Sequence, residues 1–374
     1  MAAEIISIDP DVGESPDLNR ASRALADGAL VAFPTETVYG LGANASNEES
    51  VQRLREVKGR AVTQPFTVHI GQGDDVNLFV PSISNVGRRI IEKGWPGPLT
   101  LVFPKTNPAD TAIRKDLSEA GVEAIYGLGS VGLRYPDHAA GMGFLRSARV
   151  PVIASSANRT GEAPPFEASE IQSQLGDLVD IIIDSGPTLY RKGSTIIELN
   201  GDGFKVLREG VWDERTVRRL TTINILFVCT GNTCRSPIAE GLCRKMLAER
   251  VGCGVDDLVT RGVHVMSAGT TAYGGGPVSP ESVEVCRKRG VDISRHVSRP
   301  LTTDLLLSAD HVFGMTGQHL EAIKRSSGRA ALRASVLSPS GDIADPVGGP
   351  LSDYERAAVE IEQALAQRLE EVRL

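Results

Sequence analysis

The chain has 374 residues, 41% hydrophobic and 23% charged, with a formal net charge of −7; this suits two folded cores and excludes a disordered or fibrous chain. Six of the seven net negative charges fall in residues 1–221, so neither half is a general polyanion binder, and no apolar run approaches the roughly 20 residues of a membrane-spanning helix. The opening Met1-Ala2-Ala3-Glu4 lacks the basic and apolar segments of an export signal, and the five cysteines form no paired framework, so a cytoplasmic protein without membrane contact is expected.

Ser15 and Pro16 are helix-start signals; Leu18, Ala21, Ser22 and Leu25 follow at helical spacing, and Gly28 ends the pattern. Ala29 to Phe33 reads as a strand. It leads into Pro34-Thr35-Glu36-Thr37-Val38-Tyr39-Gly40-Leu41-Gly42, a turn-rich loop bearing hydroxyls. Asn47 caps a helix to about Val57, with Glu48 and Glu49 in its first turn. Lys58-Gly59-Arg60 follows, then Pro65 and the alternating strand Phe66-Thr67-Val68-His69-Ile70. Two cations around one glycine, between helix and strand, can hold nucleotide phosphates, although the triplet alone reads as a solvated basic turn.

Trp95-Pro96-Gly97-Pro98-Leu99-Thr100 is a rigid turn before the strand Leu101 to Phe103. Val131 to His138, carrying Arg134, is a strand ending in polar groups; Val152 to Asn158 is another, with Ser155, Ser156 and Asn158 at its end. Val179 to Asp184 is a third, and Gly193-Ser194-Thr195 opens the strand Ile196 to Leu199. Hydroxyls, amides and arginines thus gather at strand ends, where open α/β sheets place ligands.

Together these segments resemble the YrdC-like family, the threonylcarbamoyl-AMP synthases. Thr35 to Gly42, Lys58-Gly59-Arg60, Trp95 to Thr100, Ser156-Ala157-Asn158, Ser194-Thr195 and Arg208-Glu209-Gly210 fall in the family's order, over about residues 14–211. The resemblance implies a twisted open α/β sheet. It also implies a reaction in which L-threonine, bicarbonate and ATP with Mg²⁺ give threonylcarbamoyl-AMP and pyrophosphate, for a tRNA adenosine modification completed with threonylcarbamoyl-transferase proteins. Lys58, Arg60, Arg134 and Arg208 would screen the phosphates. Thr37, His69 and Ser194 would hold threonine and its carbamate, and Ser130, Ser156 and Asn158 would lie along the nucleotide. No fixed protein metal site is implied. On its own, His69 reads as a satisfied strand histidine and Arg134 as an ion-pair residue. A competing reading makes this half an RNA-binding module fused to a tyrosine phosphatase. Phe66 stands where the family usually has Leu, a change expected to act on packing. The linker and extra domain of longer members are replaced by a different second half.

Trp212 to Thr222 is charged, lacks Pro and Gly, and reads as a helical connector over 212–222. The expected division is therefore residues 1–221 and 223–374.

In the second half, Ile223 to Val228 is a buried strand, and a helical pattern runs through Ala239, Leu242, Met246 and Leu247. Ser236 and Pro237 are its start signals. Between them lies Cys229-Thr230-Gly231-Asn232-Thr233-Cys234-Arg235. A strand end joined to a helix N-terminus favours an anion. Gly231 and Asn232 are candidates for the left-handed backbone that turns amides inward. Arg235 adds a planar fork matched to phosphate, and Cys229 sits at the floor as nucleophile.

These residues resemble the low-molecular-weight tyrosine phosphatase family, as do Ser267-Ala268-Gly269, His296-Val297-Ser298 and Asp345-Pro346. The resemblance covers 223–374. It implies a four-stranded parallel Rossmann-like sheet with helices on both faces and a cysteinyl-phosphate intermediate, with Cys229, Arg235 and Asp345 catalytic and Thr230 to Cys234 with Ser236 forming the phosphate loop. Strands at Val263 to Ser267, His311 to Met315 and Ala334 to Leu337 alternate with helices at Pro280 to Lys288, Gln318 to Lys324 and Asp353 to Leu369. Val347 replaces the aromatic residue that usually follows Asp-Pro, and Thr233 replaces an aliphatic one. Both features resemble the bacterial protein-arginine phosphatases, so phosphoarginine on a protein is the expected substrate. An arsenate reductase would need relay cysteines, but Cys243, Cys253 and Cys286 are scattered. A reversible Cys229–Cys234 disulfide is a further reading, opposed by strain in so short a loop.

Overall fold

A computed structural model describes residues 3–61, 63–201 and 203–372, which fall into two compact units, Met1–Thr221 and Thr222–Leu374. No described helix is long and apolar enough to cross a membrane.

The first unit is built on a ten-stranded mixed sheet. Its strands are β1 (Glu4–Ser7), β2 (Val31–Phe33), β3 (Gly40–Asn44), β4 (Thr67–His69), β5 (Leu99–Pro104), β6 (Ser130–Arg134), β7 (Val152–Ser156), β8 (Ile181–Asp184), β9 (Thr195–Asn200) and β10 (Gly203–Arg208). Their order is β1-β8-β2-β3-β7-β4-β6-β5-β9-β10. Side chains alternate between faces along a strand. Ala32, Leu41, Ala43, Val68, Leu101, Leu133 and Ile153 point into the larger core. Val31, Phe33, Val152, Ala154, Ile181 and Ile183 point the other way, with Leu18, Ala21 and Leu25 of helix Pro16–Ala26 and Phe144 of helix Ala139–Ala148. This second layer does not extend over the whole face. On β4, β5 and β6 the same face carries Thr67, His69, Thr100 and Arg134 instead, placed side by side by the pairings His69↔Arg134 and Thr100↔Arg134.

Part of the segment read as a turn-rich loop is strand. Gly40 to Asn44 pairs antiparallel with both β2 and β7. The glycines there answer to packing: a Cβ on Gly40 would stand 2.9 Å from the Phe33 ring. The caps at Ser15 and Asn47 form as expected, Ser15 Oγ accepting from Leu18 N–H at 3.1 Å and Asn47 Oδ1 from Ser50 N–H at 2.9 Å. Gly59, at φ 54°, ends helix Glu48–Lys58 in the left-handed conformation, which lets Lys58 and Arg60 flank a chain reversal.

The second unit holds β11 (Ile223–Cys229), β12 (Val263–Gly269), β13 (His311–Gly314) and β14 (Ala334–Val336), all parallel, in the order β12-β11-β13-β14. One face is covered by helices Arg235–Val251, Pro280–Arg287 and Leu351–Glu371, which bury Leu242, Val285, Ile361 and Leu365 with Ile225 and Phe227. The other face packs Leu306, Ile323 and Ala330 against Leu226, Val228 and Val312. A central strand with apolar residues at every position from Ile225 to Val228 is what burial on both faces requires.

Candidate active sites

In the first unit polar side chains form three groups, the second and third on the polar half of the sheet face and the first at the Ser156 end of β7. The first is at the end of helix Glu48–Lys58. Lys58, buried, donates from Nζ to Ser156 O at 2.8 Å, to Asn158 Oδ1 at 3.1 Å and to Asn158 O. Burial, and then the charge of Arg60, pushes its pKa down to about 8. Arg60 donates to Pro65 O at 2.9 Å and Ser155 Oγ at 3.3 Å. Its guanidinium lies 4.7 Å from the centroid of Phe66. The aromatic residue at 66 therefore does more than fill space, because a ring face attracts a cation.

The second group surrounds Arg134. Its Nη2 donates to Thr37 Oγ1 at 2.5 Å and Thr35 Oγ1 at 3.2 Å, and pairs with Glu36 Oε2 at 3.1 Å. His69 lies beside it, edge-on to Phe33 with ring centroids 5.6 Å apart. Burial, and then the Arg134 charge, pushes His69 down to about 3, so the imidazole is neutral. Because a carbonyl only accepts, the 3.3 Å contact with Thr67 O places the proton on Nδ1 and leaves the Nε2 lone pair free to accept.

The third group joins Thr100 Oγ1 to Ser194 Oγ at 2.9 Å, with Arg208 Nη2 donating to Ser194 O at 2.8 Å. Arg208 as a whole residue is exposed, while partial desolvation of its guanidinium, followed by the charge of Arg134, lowers its pKa. Ser130 begins β6 at the end opposite Arg134, level with Ser156 of β7, because Gly132 and Ala154 both pair with Thr67. Glu36, the buried partner of Arg134, was passed over by the motif reading because a lone glutamate among hydroxyls carries no distinctive spacing.

In the second unit the Cys229 to Arg235 loop closes around the end of β11. Cys229 Sγ receives Asn232 N–H at 3.2 Å and lies 3.0 Å from Ser236 Oγ. Ser236 Oγ already accepts from Asn232 Nδ2 at 2.9 Å, so its own proton is free for the sulfur. Two of the local expectations change. Ser236 is not the cap: the helix begins at Arg235, and the Ser236 hydroxyl turns inward to Cys229. Asn232, at φ 56°, takes the left-handed conformation, and Gly231 does not.

Asn232 is completely buried and is held from four sides. Its Nδ2 also donates to Ser267 Oγ at 2.8 Å, its Oδ1 accepts from Arg299 N–H at 2.9 Å, and its carbonyl accepts from His296 Nε2 at 3.1 Å. Ser267 in turn donates to Glu240 at 2.6 Å. Glu240 and the motif residues Ser267 and His296 thus meet beneath the loop. Above it, Arg235 donates from Nη1 to Ile343 O at 2.9 Å and from Nη2 to the Asp345 carboxylate, which is partly open to solvent. Thr233 is half-buried and Val347 exposed. All five cysteines are free; Cys234 Sγ lies 3.7 Å from the Tyr354 hydroxyl. His319, which the motif reading missed, contacts Thr230 Oγ1 at 3.1 Å.

The family described as telomere recombination, that of Sua5, YciO and YrdC, matches residues 23–210, and the family described as low molecular weight phosphotyrosine protein phosphatase matches residues 224–374. The chain is 37% identical over 187 residues to the putative threonylcarbamoyl-AMP synthase of Mycobacterium tuberculosis, covering 50% of this chain and 81% of that protein. It is 41% identical over 150 residues to the protein-arginine-phosphatase of Bacillus subtilis, covering 39% of this chain and 93% of that one. The chain spans about half the length, 53% and 54%, of the curated threonylcarbamoyl-AMP synthases of Pyrococcus abyssi and Bacillus subtilis that it matches. The solved structure of P. abyssi Sua5 complexed with L-threonine superposes with a TM-score of 0.51 at 23% identity, over 71% of this chain and 92% of that one, a likeness of fold.

Proposed function

The chain belongs to the Sua5, YciO and YrdC family through its first half and to the low molecular weight phosphotyrosine protein phosphatase family through its second, and from that premise we propose that it is a bifunctional enzyme. The first unit makes threonylcarbamoyl-AMP from L-threonine, bicarbonate and ATP, releasing pyrophosphate. The second hydrolyses phosphoarginine on proteins through a cysteinyl-phosphate.

The synthase reading rests on the confluence of Arg134 and Arg208 with the hydroxyls of Thr37, Thr100 and Ser194 on one sheet face, with Lys58 held at Ser156 toward the other end of β7. The amino group of threonine attacks the carbon of bicarbonate, and the C–OH oxygen leaves as water with a proton from the amine, giving a carbamate. A carbamate oxygen then attacks the α-phosphorus of ATP, and pyrophosphate leaves. Charge accumulates on phosphate oxygens in that step, and fixed cations in a partly desolvated site stabilise it. Neutral His69 offers its Nε2 lone pair to the substrate's donors, Thr37 and Ser194 hold the amino acid, and Ser130, Ser156 and Asn158 follow the nucleotide. Mg²⁺ accompanies the ATP phosphates as part of the substrate. The product serves a tRNA adenosine modification finished by transferase proteins, in the cytoplasm.

For the phosphatase, the supporting observation is a sulfur contacted by Asn232 N–H and Ser236 Oγ beneath the Arg235–Asp345 pair. Cys229 attacks phosphorus while Asp345 protonates the departing nitrogen. Asp345, then ionised, takes a proton from the water that cleaves the S–P bond. Arg235 holds the transferring oxygens, with the loop amides. Thr233 and the small, non-aromatic Val347 suit a guanidinium in place of a phenol ring.

Two assays test the reading. The full chain given threonine, bicarbonate and labelled ATP should release pyrophosphate only when all three are present; no release leaves the RNA-binding module as the better account of the first half. Cys229→Ser should abolish release of phosphate from a phosphoarginine peptide, and retained activity removes Cys229 as nucleophile.

A further inference from the structure

Thr230 and His319 are 89 positions apart, yet Thr230 Oγ1 lies 3.1 Å from His319 Nε2. The other ring nitrogen, Nδ1, lies 2.8 Å from Thr316 Oγ1. Thr316 precedes helix Gly317–Ser326 at the position where its hydroxyl would ordinarily cap a backbone amide, and it makes no such bond. The hydroxyl is engaged by the imidazole instead. His319 is buried at 5% exposure, while Thr230 is exposed directly after the buried Cys229.

The imidazole stands between the phosphate loop and the acid loop. Burial and then the charge of Arg235 push its pKa down to about 4, against the opposing pull of Asp345 and Asp342. It is therefore neutral near pH 7 and is no proton donor for the leaving group. What it does is fix a hydroxyl. A hydroxyl has one proton and two lone pairs. If Nε2 accepts from Thr230, both lone pairs of Oγ1 remain; if Nε2 donates, one remains. In either tautomer an oriented acceptor stays at the rim of the loop.

We propose that Thr230 Oγ1, held by His319, accepts an N–H of the leaving guanidinium and so is a specificity-determining group for phosphoarginine over aryl phosphates. The inference rests on the phosphoarginine reading and deepens it. Guanidinium nitrogens carry only donors, whereas the leaving oxygen of an aryl phosphate has none. An acceptor fixed at this point distinguishes the two; a freely rotating hydroxyl does so less well, because ordering it costs part of the bond.

The test compares kcat/KM of the full chain on a phosphoarginine peptide and on p-nitrophenyl phosphate. In Thr230→Val the ratio of the two should fall about tenfold to a hundredfold, the effect of one hydrogen bond to a charged group. Thr230→Ser should keep the ratio. His319→Phe, which fills the ring's space without its nitrogens, should lower the ratio, and adding Thr230→Val to it should lower it little further, since the two act as a unit. An unchanged ratio in Thr230→Val, whether both activities fall or neither does, overturns the assignment. A parent chain that cleaves p-nitrophenyl phosphate but not the peptide overturns the substrate reading and this inference with it.

Discussion

Arg134 and Glu36 form an ion pair in the floor of the synthase face, Nη2 to Oε2 3.1 Å, with side chains only 6% and 4% exposed. Arg134 Nε and Glu36 Oε1 find no partner among the described residues. Two charges this far from water are held by each other, so the pair fixes the guanidinium that the ligand meets. Removing one member strands the other, at a cost of about 3 kcal/mol or more, whereas replacing both with apolar side chains is far cheaper. Glu36→Gln should therefore destabilise the first unit more than the double change Glu36→Leu with Arg134→Met. Both tryptophans, Trp95 and Trp212, lie in that unit, so urea unfolding followed by tryptophan fluorescence reads it directly. Equal midpoints for the single and double variants would show the pair to be unimportant.

Lys58 gives a pH prediction. Its pKa is about 8 in the folded chain against 10.5 unperturbed. Above about pH 8 it loses its charge and with it an attraction for phosphate, so kcat/KM for ATP in pyrophosphate release should fall with a one-proton slope. Stability should move oppositely. The unfolded chain holds this proton more tightly between about 8 and 10.5, so this group adds stability as pH rises through that window. In Lys58→Met the alkaline limb should vanish from a reduced rate; an unaltered limb assigns it to another group.

Asn232 is the keystone of the phosphatase loop by two properties that can be separated. Its backbone is left-handed at φ 56°, and its amide contacts Ser236, Ser267 and Arg299. Asn232→Gly keeps the backbone preference and deletes the amide. We expect Asn232→Gly and Asn232→Ala both to lose about a hundredfold in kcat, the scale for an outer group that orients a reactive one. If glycine restores the rate, backbone conformation alone is what matters.

Local chemistry was legible in the sequence and tertiary placement was not. Ser15 and Asn47 announce helices because a cap acts within three residues, and β11 shows as an apolar run because it is buried on both faces. Strand β3 hid as a turn because Gly40 and Gly42 have poor strand propensity; pairing on both edges and the Phe33 ring compensate. The helix start was misplaced by two residues because Ser236 serves Cys229, a contact that no local rule contains. Glu36 and His319 escaped for the same reason: their partners Arg134 and Thr230 lie 98 and 89 positions away.

Asp345 offers the sharpest test of how the phosphatase divides its work. Its carboxylate is bound to Arg235 Nη2, so in this arrangement the acid and the phosphate-holding cation satisfy each other. A phosphoryl group entering the loop competes for that guanidinium and releases the carboxyl toward the leaving group. Proton donation matters most when the leaving group is basic. Asp345→Asn should thus lose about a hundredfold to ten-thousandfold in kcat on a phosphoarginine peptide, and markedly less on p-nitrophenyl phosphate, whose leaving group departs readily without a proton. Burst kinetics on the aryl substrate should then show fast phosphorylation of Cys229 followed by slow release, because water still lacks its base. An equal loss on both substrates without a burst would mean that Asp345 acts by orienting Arg235, and the acid would have to be sought elsewhere.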